Sequence, residues 1–485
     1  MKNRIAQLLL LLLLAAAAAS CGGETVREDA AAGSTDTAVS DSEAAVPASA
    51  LERLETADYG GHTFRILATN DNNRQQDVET VGGENGEIFN DLVYARNRAV
   101  EEKYNITIEG SGTEYSEVVD TIRLQVSGGL TDYDLYFGSA HAAKLAAEGY
   151  LADLYTVEGL DLTSPWWSTA ATESLSVGGR LYVATGDINP TTLMSAGALV
   201  FNKQLFTDSD IAYPYQTVRD GKWTIDEMIA LCAELSADLN GDGKMTYGDD
   251  RYALSSWCAA GPYAFYYSMG GMMTVKGDDD IPALHWDTEQ LTSMYDKMYE
   301  LIIGQKSYYV TDVALYDTNF KCFSDGYAYF NQVSLLTLDR NLRDMEDDYG
   351  ILPMPKYDEA QESYLSYVNP ACTLTMIPAN PADETRTGLI TQALAAGAYD
   401  SITPSLYDVI TKSRNVRDEE SAEMVGIITD RIVFDPFYFY MLDGSSILQN
   451  SLNTQTENIT SVLESKRKAA EASLEKLIEA YRSME

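Results

Sequence analysis

Histidine is nearly missing: three residues, His62, His141 and His285, in a chain of 485. They stand far apart, and no H-E-x-x-H or G-x-S-x-G occurs, so neither a zinc-hydrolase nor a nucleophile-elbow signature is present. Cysteine is almost as scarce, with five residues. Four of them, Cys232, Cys258, Cys322 and Cys372, are scattered without a C-x-x-C, which argues against a zinc site. Their apolar neighbours predict buried free thiols, although an exported compartment would also permit disulfides. Basic residues are in deficit: 34 Lys and Arg against 74 Asp and Glu give a formal charge of −40. This excludes binding that depends on neutralising nucleic-acid phosphates, and adsorption to anionic lipid. Past the N-terminus no run approaches ~18 apolar residues, so no later transmembrane helix is expected. Among so many acids some carboxylate pair could always serve a glycosidase, but none is marked out.

What is present begins with length. A chain of 485 residues exceeds one core, so two lobes are expected. At the N-terminus Lys2 and Arg4 precede the Leu8–Leu14 run, an Ala run and Ser20-Cys21-Gly22. A basic start, a short apolar stretch and small residues at a cut site predict an export signal over 1–20. From Gly22 to about Thr56 the chain is Ala, Ser, Thr, Asp and Glu with few large apolar residues. That composition predicts a disordered tether over 21–56. Tyrosine is frequent, at 32 residues, and offers an apolar face with a hydroxyl.

The folded part starts near Tyr59 with alternating strands and helices: strands at Thr63–Thr69, Asn105–Glu109 and Tyr133–Phe137, and helices at Glu87–Tyr104 and Val118–Ser127. Alternation implies a parallel sheet, with ligands beyond the carboxyl ends of its strands. That rule selects the loops Asn70–Asn73 and Gly138–His141, hence Asn70, Asp71 and Ser139 as candidate ligand contacts. Ser164-Pro165-Trp166-Trp167 either seals a loop onto the core or stacks on a ligand. Gly179–Phe206 reads as two strands, Arg180–Ala184 and Ala198–Phe201, joined by Gly186, Asp187, Asn189 and Pro190. Such residues suit a crossing between lobes. Asp187 is there a candidate hydrogen-bonding group, with bracing of the hinge as its rival role. Thr224 with Glu227 forms a capping box for a helix over Lys222–Ala237.

This helix runs into Asp238-Leu-Asn240-Gly-Asp242-Gly243-Lys244-Met-Thr246-Tyr-Gly-Asp249. The spacing matches the calcium loop D-x-[DN]-x-[DN]-G, in which alternate oxygen side chains wrap a hard cation. The expected ligand set is Asp238, Asn240, Asp242, the Lys244 carbonyl, Thr246 and Asp249. Asp249 stands where Glu is usual. The following stretch, Tyr252–Ser256, reads as a strand, so a structural Ca2+ site of helix–loop–strand form is expected.

Gly179–Phe206, and "DGKWTIDEM" from Asp220 to Met228, resemble segments of family 1 extracellular solute-binding proteins, the group that includes maltodextrin-binding protein. Ser20-Cys21 likewise resembles the bacterial lipobox, with Ala18 where Leu is usual. The resemblance implies an α/β type II periplasmic-binding-protein fold, two α/β lobes joined by a multi-strand hinge. It places 57–187 and 331–380 in the first lobe and 188–330 and 381–485 in the second. Gly326–Phe330 would be a return crossing with Asn331 at its end. Tyr349–Pro355 and Tyr367–Pro378 would be first-lobe strands, with Asn369 on the cleft side. Helices at Asp383–Ala398 and Pro404–Thr411 would belong to the second lobe, ahead of a polar loop carrying Arg414. Trp257 and Tyr263 would offer aromatic faces to a sugar. The implied function is that of a non-enzymatic binding component of an ABC importer. It would capture an oligosaccharide by hinge closure and deliver it to the permease subunits. The expected protein is monomeric and held on the outer face of the membrane through lipidated Cys21. A two-lobe sensor for a membrane kinase would share this fold; a secreted glycosidase is the remaining alternative.

Overall fold

Two sheets organise the chain, and in each some strands are buried along their whole length: Leu135–Gly138 and Leu374–Met376 in the first, Gly197–Asn202 and Tyr349–Pro353 in the second. The computed structural model describes residues 48–70, 74–78, 83–286, 288–411 and 418–484. Residues Ser49–Glu485 form one compact unit. The expected signal over 1–20, most of the expected tether with Cys21, Asp71 and Arg414 lie outside the described residues. No helix among the described residues is long and apolar enough to cross a membrane.

The first sheet has four strands, in the order Leu374–Met376, Leu135–Gly138, His62–Thr69, Ile106–Thr113. His62–Thr69 runs parallel to both Ile106–Thr113 and Leu135–Gly138, and Leu374–Met376 is antiparallel to Leu135–Gly138. The helix Ile88–Tyr104 connects the first two strands and buries Val93, Val100 and Tyr104. Asn105, in the left-handed region at φ 49, ends it and turns the chain back into the sheet. This is the right number and direction of elements for the expected α/β lobe.

The second sheet has five strands, in the order Tyr349–Pro353, Gly197–Asn202, Ala328–Ser334, Tyr252–Trp257, Tyr308–Val310. Gly197–Asn202 is antiparallel to both its neighbours, whereas Tyr252–Trp257 is parallel to both of its own. Tyr349–Pro353, expected in the first lobe, therefore belongs here, with Ile351 opposite Val200. All five of its residues are buried, and an unbroken apolar run carries no mark of which sheet edge it completes. Of the 331–380 segment only Leu374–Met376 joins the first sheet.

Three further expectations are corrected. Arg180–Ala184 makes no strand. Val177 and Arg180 close a tight turn over Gly178 and Gly179, both at positive φ, and Ala184 forms an isolated bridge with Thr375. The two expected helices are one, Glu384–Thr411, with Pro404 inside it. It packs against Ile88–Tyr104 and Ala50–Arg53, so 381–485 is not all second-lobe. The span 21–56 expected to be a tether includes folded residues at its end. Ser49 and Glu52 form a reciprocal capping box, and the turn they open buries Ala50 and Leu51.

Between the sheets the chain crosses at Ala184–Gly197, as the Gly, Asp, Asn and Pro content of that stretch leads one to expect. Gly186 runs so close to Trp166 that a Cβ there would lie 2.2 Å from the Trp166 carbonyl oxygen. Trp166 and Trp167 are buried in the core, and the Trp167 indole donates to Gln392 Oε1 at 2.8 Å.

Candidate functional site

A cleft of about 590 Å³ opens where the carboxyl ends of strands from both sheets face each other. From the first sheet, Ile106–Thr113 leads to Tyr115, and Leu135–Gly138 leads to Ala140 and His141. Ser139 caps the short helix Ala140–Ala143, its hydroxyl accepting from the His141 N–H at 3.2 Å. The His141 ring stacks on Tyr115, with centroids 5.4 Å apart and planes at 22°. Burial, and the nearby Lys144 charge, hold the imidazole pKa below its usual value, so it is neutral at pH 7.

The opposite wall starts at Trp257, the last residue of its strand, which meets Tyr316 edge-on at 4.6 Å. Burial pushes the Tyr316 phenol up to about 12, against the opposing charge of Arg340. Gln332, Ser334 and Thr337 continue this wall to Arg340. The third side is a tyrosine cluster. Tyr263 stacks on Tyr438 at 4.2 Å and 23° and donates to the Ser445 carbonyl at 2.7 Å. Tyr367 and Tyr438 share a hydrogen bond at 3.0 Å. Tyr438 sits on the helix Pro436–Phe439, capped by Asp435, whose buried carboxylate accepts from Phe437 N–H at 2.9 Å and Thr274 hydroxyl at 2.6 Å. Burial raises that carboxyl pKa, against these hydrogen bonds. Burial also keeps the phenols of Tyr263, Tyr367 and Tyr438 neutral, as hydroxyl donors and apolar faces.

Of the residues selected from sequence, Trp257, Tyr263 and Asn369 line the cleft. Ser139 is buried behind it and sets the position of His141. Asn331 is fully buried, its amide donating to Ser255 Oγ at 2.6 Å and to Asn319 Oδ1 at 2.9 Å, so it ties strands together. Asp187 is buried and accepts from the Thr403 hydroxyl at 2.6 Å, the bracing role. Asn70 follows its strand on the surface, its amide donating to Glu114 at 3.3 Å, and is not one of the lining residues. Unforeseen lining residues include Tyr115, Tyr316, Gln332, Arg340, Tyr367 and Tyr438. The run Phe437–Tyr440 was a usable signal for the last of these; the others carry no local mark.

The 238–249 loop is folded by its own acid side chains. Asp238 accepts from the N–H groups of Gly241 and Gly243 at 2.7 Å each, Asn240 from Asp242 at 2.9 Å, and Asp242 from Lys244 at 2.8 Å. Gly241 and Gly243, at φ 75 and 81, allow the bends. Asp250 rather than Asp249 is the buried carboxylate, accepting from Leu239 and Thr246 N–H. Among the described residues no three His, Cys, Asp or Glu side chains gather as a metal cluster. The donor set, oxygen alone, suits a hard cation.

A family profile described as bacterial extracellular solute-binding protein matches residues 82–364. Solved structures share the fold over most of the chain. The galacto-N-biose/lacto-N-biose I-binding protein of Bifidobacterium longum aligns with a TM-score of 0.58 at 13% identity, covering 87% of this chain and 98% of its own. The cyclic alpha-maltosyl-1,6-maltose binding protein of Arthrobacter globiformis gives 0.57 at 14% identity, with 86% and 99% covered. UspC of M. tuberculosis gives 0.55 at 14%, with 85% and 100% covered. No curated protein sequence matches the chain. A profile that spans more than half of the chain, together with two lobes that face each other across a cleft, makes this a member of the bacterial extracellular solute-binding proteins, a binding protein of periplasmic-binding-protein fold and not an enzyme.

Proposed function

We propose that the chain is the lipid-anchored substrate-capturing component of an ABC importer and that its cargo is an oligosaccharide. The cleft carries this reading. Its walls present paired aromatic faces, Trp257 with Tyr316 and Tyr263 with Tyr438, among amide and hydroxyl groups. Flat apolar rings suit the C–H faces of pyranoses, and amides and hydroxyls suit their hydroxyl groups. The neighbours' named ligands, lacto-N-biose and a cyclic maltosyl-maltose, point the same way. The ligand meets one lobe, the lobes close about the 184–197 crossing, and the permease takes the closed form. Lipidation at Cys21 and a monomeric state are parts of this reading. So is a structural Ca2+ held by Asp238, Asn240, Asp242, the Lys244 carbonyl, Thr246 and Asp249.

Thermal unfolding of Ser49–Glu485 against a panel of mono- and oligosaccharides tests it. A ligand at a hundred times its Kd adds ~2.7 kcal/mol, a visible melting shift. The Trp257→Ala variant should bind the responding sugar about fivefold more weakly, since a well-placed aromatic contact contributes on the order of 1 kcal/mol. A flat panel, or a sugar consumed rather than retained, sinks the proposal. For the anchor, Cys21→Ala should release the chain from membranes.

A further inference from the structure

Met441 stands in a backbone conformation that the chain otherwise gives to glycine or to polar residues. It lies just beyond the helix Pro436–Phe439, in the left-handed region at φ 51. Its N–H donates to the Tyr438 carbonyl and the Leu442 N–H to that of Phe437, both at 3.1 Å. This pair of bonds around a left-handed residue is a common helix ending, and glycine is its usual occupant because a Cβ is strained there. The same pair of bonds is made at Gly221, Gly270 and Gly326, all at positive φ. Where another residue takes that place it is polar, as at Asp210, Lys306 and Gln455. Among the described residues, Met441 is the one apolar non-glycine at positive φ.

The core does not use this side chain. The apolar contact that accompanies such an ending falls to Leu442 and Phe437, and both are buried. Met441 is instead 53% exposed, and it lines the cleft. Val333 and Leu336, the other large aliphatic side chains of the lining, are buried. Tyr438 and Ser445, from the same short segment, also line the cleft. A thioether on three rotatable bonds adapts to irregular apolar surfaces. A strained residue with no packing role, at the wall of a ligand cleft, is a mark of function.

We infer that Met441 is a specificity-determining residue of the cleft, whose thioether covers an apolar C–H face of the bound sugar, and that the strain in its backbone is retained for that contact. This rests on the carbohydrate reading above and assigns one contact within it.

Calorimetry and thermal unfolding of Ser49–Glu485 decide it. The probes are α-1,4- and β-1,4-linked glucose and galactose di- and trisaccharides. Met441→Gly should bind the probe that the parent binds best about fivefold more weakly, the loss of roughly 40 Å² of apolar contact. Without sugar it should melt no lower than the parent, because the strain leaves with the side chain. Met441→Leu keeps an apolar side chain in the same strained place and should bind within about twofold of the parent. In the parent, saturation with that probe should slow oxidation of Met441 to its sulfoxide by dilute hydrogen peroxide severalfold, and leave Met245, outside the cleft, unaffected. The inference falls, with the carbohydrate reading intact, if Met441→Gly binds like the parent, if Met441→Leu binds no better than Met441→Gly, or if bound sugar does not protect Met441. Melting of Met441→Gly below the parent would give the side chain a structural role and overturn it as well. Binding of none of the probes overturns both.

Discussion

Asp77 is fastened to Thr191 inside the protein, at the place where the chain crosses from one lobe to the other. Oδ1 accepts from the Thr191 N–H at 3.1 Å and Oδ2 from its hydroxyl at 2.5 Å. The same hydroxyl lies 3.1 Å from that of Thr373, just before the first-sheet strand Leu374–Met376. Arg96 donates to the Asp77 carbonyl at 2.7 Å and approaches the Ile188 carbonyl at 3.4 Å. A short helix, the outgoing crossing and the return of the chain thus meet on one buried carboxyl.

Burial pushes the Asp77 carboxyl from 3.8 up to about 7, more than the hydrogen bonds from Thr191 and the Arg96 charge pull it down. Between those values the folded protein holds a proton that the unfolded chain has released. Stability from this group is therefore complete below pH ~4, falls as pH rises to about 7, and is level above it. The loss is on the order of 4 kcal/mol at most. Asp435, also raised by burial, tilts the profile the same way, so the difference between proteins is the readout. Urea denaturation across this range should show a falling midpoint for the parent and a flatter one for Asp77→Asn. Parallel profiles would mean that Asp77 is not titrating there.

Gly186 should tolerate no side chain. A Cβ would stand 2.2 Å from the Trp166 oxygen and 2.9 Å from the Trp167 Cα, both backbone atoms that cannot swing aside. It would also push apart the Asp187 N–H to Trp166 carbonyl bond, now 2.8 Å. Overpacking of this kind costs about 1–3 kcal/mol. Gly186→Ala should lower the melting temperature and alter ligand affinity, because the strain falls on the crossing itself. An unchanged melting temperature would show that the crossing gives way easily.

How much of this could be read beforehand depends on how local the cause is. The alternation from His62 to Gly138 is a local pattern, and it identified the parallel strands and, of the two loops it selected, the Gly138–His141 loop that reaches the cleft. Trp257 and Asn369 come from the family resemblance, and both line the cleft. Tyr349–Pro353 failed because a fully buried strand shows no polar face to fix its partner. Asn331 failed because the strand expected to end at Phe330 runs on to Ser334, so its amide lies within the sheet and meets Ser255 and Asn319. Arg340 and Tyr316 reach the cleft only through helix packing, which leaves no trace in spacing. Ser49 with Glu52 was legible as a capping box, but a low-complexity setting concealed it.

The 238–249 loop separates two neighbouring carboxylates by role. Asp250 is buried and accepts N–H bonds from Leu239 at 2.9 Å and Thr246 at 2.7 Å, so it holds the loop closed without any ion. Asp249 is exposed at the twelfth position, the place from which a carboxylate reaches the cation. Asp250→Ala removes the acceptor of two part-buried N–H groups and should cost about 0.5–1.5 kcal/mol for each, with or without calcium. Asp249→Ala should leave the chelator-treated protein unchanged and abolish most of the melting shift on adding calcium. For the parent that shift should approach ~2.7 kcal/mol at a hundredfold excess over Kd. If added calcium fails to raise the parent's melting temperature, the loop is an Asx-rich turn. In that case Asp249→Ala should match the parent with and without chelator.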